Sequence, residues 1–587
     1  MVSEHLHKDL SSSSKSENAI KIFFDKCEAT KRMNQTLLAL NEKREILKMI
    51  KQVGSWPMLS KSWNESEFDL NYMMSNIAKF GVPSFGFFMV KDDPDPEFTV
   101  ELATTVDTEK LAKDIVEILK ENNILFDTKS IQEDVQSIAK LANDIAQLHS
   151  APIKVKALEY GIGRIQESVP SIDFERITKN FFNPKRKDLI WEKLKTKFIS
   201  PADMHYFSNK TRNIETVLRS TPRRTLANYL IYIFIRNLNL LRVAIGQQEN
   251  ICAELVTEVF PLAALRVYVR NHYDKENLVL ASDMVEEIRE NLIETFMQST
   301  WLHGNTKMRA IRKAELMKKV IGYPPEFEVP GALDSFFESV TFSETDSYFT
   351  TVLKALKLQR EQNFDYHSGF LSIAPIKKYL TSGAHYSPWE NTLTLRIPLI
   401  DDPYFDSTYP KYARIASIGE AIGHEMGHGF DTTGRKRDEN GQEHDWWTPE
   451  DSAEYDRKAQ CLIDQYNNYD DPDFGRNLNG STTIKEMAAD LIGISVSLKT
   501  YNKVDFANEP SIFGFEDEKP DKLFFHITAL NWCRARDTTP LATKLTAVHP
   551  TSSFRVNGVF SNMKSFAQAF NCPVGSPMNP KKKCELF

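Results

Sequence analysis

The chain has 587 residues, more than one hydrophobic core usually serves, so its length favours at least two domains. Its 73 basic and 80 acidic residues give a net charge of −7, which leaves no electrostatic case for nucleic acid as a partner. Apolar residues make up 41% of the chain, which is enough for sizeable cores and typical of a soluble globular protein.

The first 25 residues are polar and rich in serine, and they begin MVSEHLHKDLSSSSKSENAI. They contain no apolar run of the kind that a signal peptide needs, so residues 1–25 are predicted to be disordered and to carry no signal peptide. The most apolar run of the chain, Leu226–Val243, is interrupted by polar residues such as Asn228 and Arg236. This pattern predicts a buried helix and no membrane span.

Residues 26–325 repeat apolar side chains at helical spacing, as in VQSIAKLANDIAQLH and ASDMVEEIRENLIETFMQSTWL. We predict a large, mostly helical N-terminal lobe over this range. The stretch IGYPPEFEVPGAL, residues 321–333, is the clearest cluster of helix-breaking residues. It marks the predicted boundary with a second domain, residues 326–587.

The second domain contains one clear strand pattern. The stretch NTLTLRI, residues 391–397, alternates polar and apolar side chains, which predicts a half-buried strand. Pro388, Pro398 and Pro403 surround it and favour an edge strand. The remaining patterns are mainly helical, so we predict a mixed α+β domain with a small sheet.

The stretch IGHEMGHGF, residues 422–430, carries two histidines four residues apart. On a helix, His424 and His428 lie about 40° apart on one face, so both rings can reach one zinc ion. Glu425, directly after the first histidine, could polarise a bound water. A competing interpretation is that these are two ordinary helix histidines, which would hold if the chain offered no third ligand.

A third ligand is available in TTIKEMAADLIG, which places Glu486 and Asp490 on one face of a second helix. Glu486 would complete a set of two histidines and one carboxylate, and Asp490 would orient a ligand imidazole. The alternatives are that Thr483 and Glu486 form a capping box and that Asp490 lies on a solvated surface.

A zinc site that hydrolyses peptide bonds also needs a group that stabilises developing negative charge. The stretch AVHPTSSFR supplies His549 and Arg555, and either could donate a hydrogen bond to an oxyanion or to a substrate carbonyl. The alternative is that the histidine, which precedes a proline, has a structural role.

Together these stretches resemble the neprilysin family of zinc metallopeptidases, which includes the endothelin-converting enzymes. The resemblance follows the family's order from about residue 25 to residue 587 and rests on ANYL, TKMRAIRKAELMKKVIGYP, IGHEMGHGFDTTGRKRDENGQEHDWW, NGSTTIKEMAAD, FFHITALNWC, VHPTSSFRVNG and NPKKKCELF. It implies a mainly α, two-lobed zincin-type metallopeptidase whose lobes enclose the site. The large lobe would be helical, and the catalytic domain would be mixed α+β.

The resemblance implies one zinc ion per chain, with His424, His428 and Glu486 as its ligands. Glu425 would be the general base that activates water. The substrates would be short peptides. The family's location implies an extracellular or cell-surface protein, although the predicted lack of a signal peptide and of a membrane span leaves a soluble intracellular form open.

The resemblance also gives roles to residues around the ligands. Asp490 would orient a histidine ligand, His549 would stabilise the transition state, and Arg555 would contact the substrate backbone. Two disulfides match pairs found in the family, and two further cysteines would be left without partners because their usual partners lie in a segment that this chain does not contain. The implied pairs are Cys27 with Cys252 and Cys461 with Cys584, and the unpaired cysteines are Cys533 and Cys572.

The chain departs from the family pattern in the substrate-binding strand, which reads GAHY. Gly383 stands where the family has an asparagine that holds the substrate main chain, which leaves the Ala384 backbone and Tyr386 as the expected contacts. Met487 replaces another family asparagine, and we expect only a modest effect because zinc ligation does not depend on it.

Glu420 is a third departure, because the family usually has an apolar residue one turn before the first histidine. Asn531, next to the pocket residue Trp532, also stands where an apolar residue is common. We hypothesise a pocket that accepts a basic or polar residue after the cut. The alternative is that Glu420 points into solvent.

The leading interpretation is a zinc-dependent endopeptidase that hydrolyses short peptides. The alternative is a catalytically weakened zinc-binding homologue that serves as a peptide-binding or interaction protein. Gly383, Met487 and the unpaired cysteines favour the alternative. The intact Glu425 and His549 argue against it, because a chain released from catalysis need not keep its general base.

Overall fold

The structure is a computed structural model, and it describes most of the chain. The described residues are 6, 14–33, 35–59, 63–85, 89–90, 98–99, 106–149, 162–196, 206–207, 212–239, 250–323, 327, 329, 331–371, 380–381, 383–469, 478–533 and 541–587.

The chain divides into two compact units that alternate along the sequence. The first unit comprises Met1–Asn271 and Phe327–Lys377, and the second comprises His272–Glu326 and Lys378–Phe587. The sequence predicted two consecutive domains instead, with a boundary at residues 325 and 326, which lie outside the described residues. The division differs because residues 272–323 pack and pair with the C-terminal part of the chain, which periodicity along the chain does not reveal.

Where it is described, the first unit is mainly helical and has two short antiparallel strands, β1 (Met89–Val90) and β2 (Phe98–Thr99). Its core joins buried side chains from distant helices, among them Ile50, Ile77 and Phe234. The helices are Lys15–Lys31, Gln35–Val53, Leu70–Ala78, Thr108–Glu121, Thr128–His149, Ile162–Ser168, Phe174–Thr178, Lys187–Leu194, Ile214–Ser220, Arg223–Asn239, Ile251–Val259, Pro261–Asn271 and Tyr348–His367.

The N-terminal segment is more ordered than the sequence predicted. Residues 15–25 belong to the helix Lys15–Lys31, so the prediction of disorder is wrong for them. The Ser14 side chain caps this helix, and its apolar face is buried at Ile20 and Phe23. Residues 1–5 and 7–13 lie outside the described part of the chain.

The apolar run at 226–243 is helical where it is described. The helix Arg223–Asn239 buries Leu230, Phe234 and Asn228, as expected of a core helix. Residues 240–243 lie outside the described part. No helix within the described ranges has the length and apolar character needed to cross a bilayer.

The second unit carries three helices that are named here for their roles below: the lysine helix (Gly304–Glu315), the histidine helix (Lys411–His428) and the carboxylate helix (Gly480–Tyr501). Its other helices are Glu276–Gln298, Pro449–Asn467, Pro520–Leu530, Leu541–Thr546, Ser552–Phe560 and Lys564–Ala569.

A small sheet lies beside these helices. Its described strands are β3 (Lys318–Gly322), β4 (Ala384–Ser387) and β5 (Thr392–Arg396), in the order β3–β5–β4. The strand predicted at 391–397 is confirmed as β5, but the prediction that it lies at an edge is wrong. It pairs in parallel with β3 and antiparallel with β4, and the prolines flank its ladder without interrupting it.

Both disulfides that the resemblance implied are present. Cys27 bonds Cys252 in the first unit, and Cys461 bonds Cys584 in the second. The two other cysteines form no disulfide in the part of the chain that the structure describes, and of these Cys533 is exposed and Cys572 half-buried.

Candidate active site

The histidine helix and the carboxylate helix approach each other through residues without large side chains. Glycines recur at every fourth position of the histidine helix, at 419, 423 and 427, and therefore share one face. A Cβ atom on Gly427 would stand 3.0 Å from the Cα of Ala489, and one on Gly493 would stand 2.4 Å from the backbone nitrogen of His424. The two helix backbones are thus in direct contact, which brings the polar faces together.

The carboxylate helix begins differently from the capping-box interpretation. Its N-cap is Asn479, whose side chain accepts hydrogen bonds from the backbone nitrogens of Ser481 and Thr482. Glu486 is therefore not a cap partner of Thr483. It is buried and faces the histidines. Asp490 is completely buried, so the solvated-surface alternative is also wrong.

The three predicted metal ligands lie close together, with candidate ligand atoms within 4.8 Å of one another. Oε2 of Glu486 lies 3.4 Å from Nε2 of His424, and Oε1 lies 3.7 Å from Nε2 of His428. In a tetrahedral zinc site with bonds near 2.05 Å, neighbouring ligand atoms are about 3.3 Å apart. The observed separations fit that geometry, and the three residues form a group able to hold a metal ion.

The hydrogen bonding of Glu486 supports the same conclusion. Its Oε2 is buried and makes no well-formed hydrogen bond within the described residues, although Nε2 of His424 and Nε2 of His549 lie 3.4 and 3.2 Å away. A buried carboxylate oxygen without such a bond is costly unless another partner, such as a metal ion, completes it. The donor set of two imidazoles and one carboxylate is one of those that catalytic zinc sites use.

Each histidine is oriented by its own carboxylate. Nδ1 of His424 lies 2.7 Å from Oδ1 of Asp490, and Nδ1 of His428 lies 2.8 Å from Oδ2 of Asp431. Because an ionised carboxylate only accepts, each Nδ1 carries the hydrogen and each Nε2 is left to bind a metal. Asp490 was predicted for this place. Asp431 was missed because it lies beyond the end of the histidine helix, where the spacing rule for one helix face does not apply.

The electrostatics of the group favour a bound cation. Burial acts to lower the pKa of His424, but the Asp490 carboxylate outweighs it and raises that pKa to about 10. Burial acts to raise the pKa of both carboxyl groups, but Arg555 and His424 hold the pKa of Asp490 below its ordinary value, and the neighbouring histidines do the same for Glu486. Both carboxylates are therefore ionised at neutral pH.

Arg555 and Trp532 lie together beside Asp490. Nε of Arg555 donates to Oδ2 of Asp490 at 2.9 Å, Nη2 donates to Oδ1, and the guanidinium stands 4.1 Å above the Trp532 ring. This stacking and the paired hydrogen bonds fix the arginine in one orientation. His549 is largely exposed, and its imidazole faces Glu486.

Glu425 and Glu420 are on the same helix as the histidines. Glu425 is half-buried, whereas Glu420 is buried with only 3% of its surface exposed, so the alternative that it points into solvent is wrong. A carboxylate oxygen of Glu420 lies within 4.8 Å of a ring nitrogen of His424 and of a carboxylate oxygen of Asp490. Asn531 turns towards this helix and donates to the backbone oxygen of Ser417.

The structure corrects one predicted substrate contact. The Tyr386 side chain is buried, and its hydroxyl donates to Oδ1 of Asn391 at 2.8 Å, so the phenol is used inside the unit. Burial raises the pKa of this hydroxyl well above its ordinary value. Ala384 is half-buried on β4, opposite Leu395 of β5.

Comparison with known proteins identifies the family. Residues 2–324 and residues 383–586 both match descriptions of Peptidase family M13. The chain belongs to peptidase family M13. It is accordingly a peptidase, and its family is one of metallopeptidases. The predicted membership of the neprilysin family is confirmed.

Two named relatives align with almost the whole chain. Neprilysin-11 of Caenorhabditis elegans is 26% identical over 99% of this chain and 74% of its own length. Endothelin-converting enzyme 1 of Rattus norvegicus is 24% identical over 99% of this chain and 80% of its own length.

Solved structures confirm the zincin-type fold. PEPO from Lactobacillus rhamnosis HN001 aligns with a TM-score of 0.68 and 17% identity over 99% of this chain and 92% of that one. The zinc metalloprotease ZMP1 of Mycobacterium tuberculosis, solved with an inhibitor, aligns with a TM-score of 0.66 and 16% identity. The alignment covers 100% of this chain and 91% of that one.

Proposed function

We propose that this M13 peptidase is a zinc-dependent endopeptidase that hydrolyses short peptides at the group formed by His424, His428 and Glu486. The observation that carries the proposal is the separation of the facing ligand atoms, 3.4 and 3.7 Å, which suits the edges of a tetrahedral zinc site. Zinc, when bound, supplies Lewis-acid chemistry that polarises a carbonyl group and makes water acidic enough to attack at neutral pH.

The side chains around the ligands carry the proton transfers in this proposal. Glu425 accepts a proton from the attacking water as the oxygen–carbon bond forms, and it delivers that proton to the amine as the carbon–nitrogen bond breaks. His549, which is exposed and beside Glu486, donates a hydrogen bond to the developing oxyanion. Asp490 and Asp431 keep the two imidazoles in the tautomer that binds a metal.

The substrate main chain would lie along strand β4. Among the described strands β4 pairs only with β5, so the backbone of Ala384 is available for an extended peptide to add as a further strand. Arg555, fixed by Asp490 and Trp532, would contact a substrate carbonyl. By the same resemblance, the protein would act outside the cell or at its surface.

The alternative of a weakened, peptide-binding homologue receives little support. The Met487 side chain is fully buried, and its sulfur accepts from the Thr483 hydroxyl at 3.4 Å, so this residue takes no part in the ligand group. Gly383 has a φ of +141°, which an L-residue rarely adopts, so the strand here follows a path that suits glycine.

The test uses the full chain and its Glu425→Gln variant, each with its zinc content measured by mass spectrometry. Turnover is followed on a quenched short peptide. We expect one zinc per chain in both proteins and a loss of at least about 100-fold in kcat in the variant, because it lacks the general base. Zinc without turnover in the wild type would favour the binding-protein alternative. An absence of zinc in the wild type would refute the proposal.

A further inference from the structure

Lys313 of the lysine helix is completely buried, and its ammonium group has three defined partners. Nζ donates to the backbone oxygens of Gly429, Gly434 and Arg437 at 2.7, 2.8 and 2.9 Å. These three donated hydrogen bonds use all three N–H groups, which only the protonated amine carries. The geometry is therefore that of a buried, fully bonded cation, although burial lowers the pKa of this lysine to about 7.

The three carbonyls belong to one turn, residues 429–437, which follows the histidine helix directly. Gly429 is the C-cap of that helix, immediately after His428. The turn then folds back, because a Cβ atom on Gly434 would stand only 1.8 Å from the backbone oxygen of His428. A cation is well placed here, since the C-terminal end of a helix carries partial negative charge.

The same turn carries the carboxylate that orients His428. Oδ1 of Asp431 accepts from the backbone nitrogens of Thr433 and Gly434, both at 2.7 Å, while Oδ2 faces Nδ1 of His428 at 2.8 Å. The conformation of the turn therefore determines where the Asp431 carboxylate stands. Lys313 is the side chain that ties both ends of this turn together.

The backbone of Lys313 is itself fixed in place. Nδ2 of Asn391, which is completely buried, donates to the backbone oxygen of Lys313 at 3.1 Å and to that of Glu439 at 3.3 Å. Oδ1 of the same asparagine accepts from the Tyr386 hydroxyl. The lysine is thus anchored to the sheet at one end and to the turn at the other.

We propose that Lys313 is a positioning residue for the metal site: it fixes the turn 429–437 so that Asp431 holds the His428 ring ready to bind zinc. This inference rests on the proposed zinc-dependent function. It predicts that the loss of Lys313 weakens zinc binding through Asp431, without any direct contact between the lysine and the metal.

The first experiment compares Lys313→Met with Lys307→Met in the full chain. Lys307 is a matched control, because it lies on the same helix and its Nζ donates to the backbone oxygens of Met297 and Ser299, away from the turn. The zinc dissociation constant is measured by competition with a chromophoric chelator. We expect it to rise about 10- to 100-fold for Lys313→Met, as for the loss of other groups that orient metal ligands, and to stay within about twofold for Lys307→Met.

The second experiment tests whether the effect passes through Asp431. Asp431→Asn alone should weaken zinc binding to a similar extent. The double variant with Lys313→Met should then have nearly the same zinc dissociation constant as Asp431→Asn. If the two fold-changes multiply instead, or if Lys313→Met lowers only the melting temperature, Lys313 is a stabilising residue and the proposal is overturned.

Loss of zinc binding in the wild type and misfolding of the variant have different consequences. If wild-type protein binds no zinc, the proposed function fails, and the inference fails with it. If Lys313→Met does not fold, Lys313→Gln replaces it, since its amide keeps two N–H donors. The Lys313→Gln variant would make fewer hydrogen bonds to the turn. If it folds and its zinc dissociation constant is unchanged, the proposal is overturned.

Discussion

A Cβ atom on Gly423 would stand 2.8 Å from the Cα of Gly493 and 2.7 Å from its carbonyl oxygen. Both atoms belong to the backbone of the carboxylate helix, so they cannot move aside as a flexible side chain would. The absence of a side chain at position 423 is therefore one of the features that let the two helices, and with them the histidines and Glu486, lie this close together.

We expect Gly423→Ala to destabilise the protein by about 1–3 kcal/mol and to weaken zinc binding, because overpacking pushes the ligand helices apart. Gly304→Ala is the matched control, since a Cβ atom there meets nothing within 4 Å. Urea unfolding and chelator competition measure the two effects. Wild-type zinc affinity in Gly423→Ala would show that the helix spacing does not determine the ligand geometry.

Glu420→Met should change which residue is accepted after the cut. The buried carboxylate stands near His424 and Asp490, and burial raises its pKa to about 7. Its ionised form, which predominates above that pH, should favour a basic residue in the pocket over an apolar one. We expect the ratio of kcat/KM for lysine over leucine peptides to fall about tenfold in the variant, and to be unchanged in Glu516→Gln, which alters an exposed acid. A strict preference of the wild type for phenylalanine or leucine after the cut would rule out the polar pocket.

Glu361 gives the first unit a pH-dependent stability. Its side chain is buried, neither oxygen makes a well-formed hydrogen bond within the described residues, and Nζ of Lys357 is 3.6 Å away. Burial raises the pKa to about 7 from an ordinary 4.5, so the folded state binds this proton more tightly than the unfolded state. Stability from this group is therefore complete below pH 4.5 and is lost as the pH rises to 7, by about 3 kcal/mol in total.

We accordingly expect Glu361→Gln, which stays neutral, to be more stable than wild type at pH 8 and nearly equal to it at pH 5. Urea unfolding at both values measures the difference. The exposed Glu344→Gln variant should show no such trend. A gain of equal size at both pH values would contradict the assignment to ionisation.

Removal of zinc should loosen the second unit locally. In hydrogen exchange, we expect amides of the histidine and carboxylate helices to lose protection in the presence of a chelator, because ligand binding stabilises the folded site by about 4 kcal/mol at 1,000 times the dissociation constant. Amides of the helix Arg223–Asn239 serve as the internal control and should be unaffected. Equal protection with and without the chelator in all three helices would contradict the zinc assignment.

Much of the candidate site was accessible from local patterns. The spacing of His424 and His428 places both on one helix face, and the same rule pairs Glu486 with Asp490. That these two faces meet could be expected only from the chemistry of a zinc site and from the family resemblance. The patterns alone could not reject the capping-box alternative for Thr483 and Glu486, because a capping box and a buried carboxylate look alike along one helix turn.

The sequence by itself determined which helices form, which faces carry the candidate ligands and the predicted general base, and which family the chain resembles, since these follow from short periodicities and adjacent residues. Only the tertiary structure decided that β5 is the central strand, that Tyr386 is buried, that Asp431 orients His428 and that Lys313 holds the turn beneath it. Each of these depends on which groups the packing of the elements brings within hydrogen-bonding distance. That is a property of how the elements pack, and no periodicity along the chain encodes it.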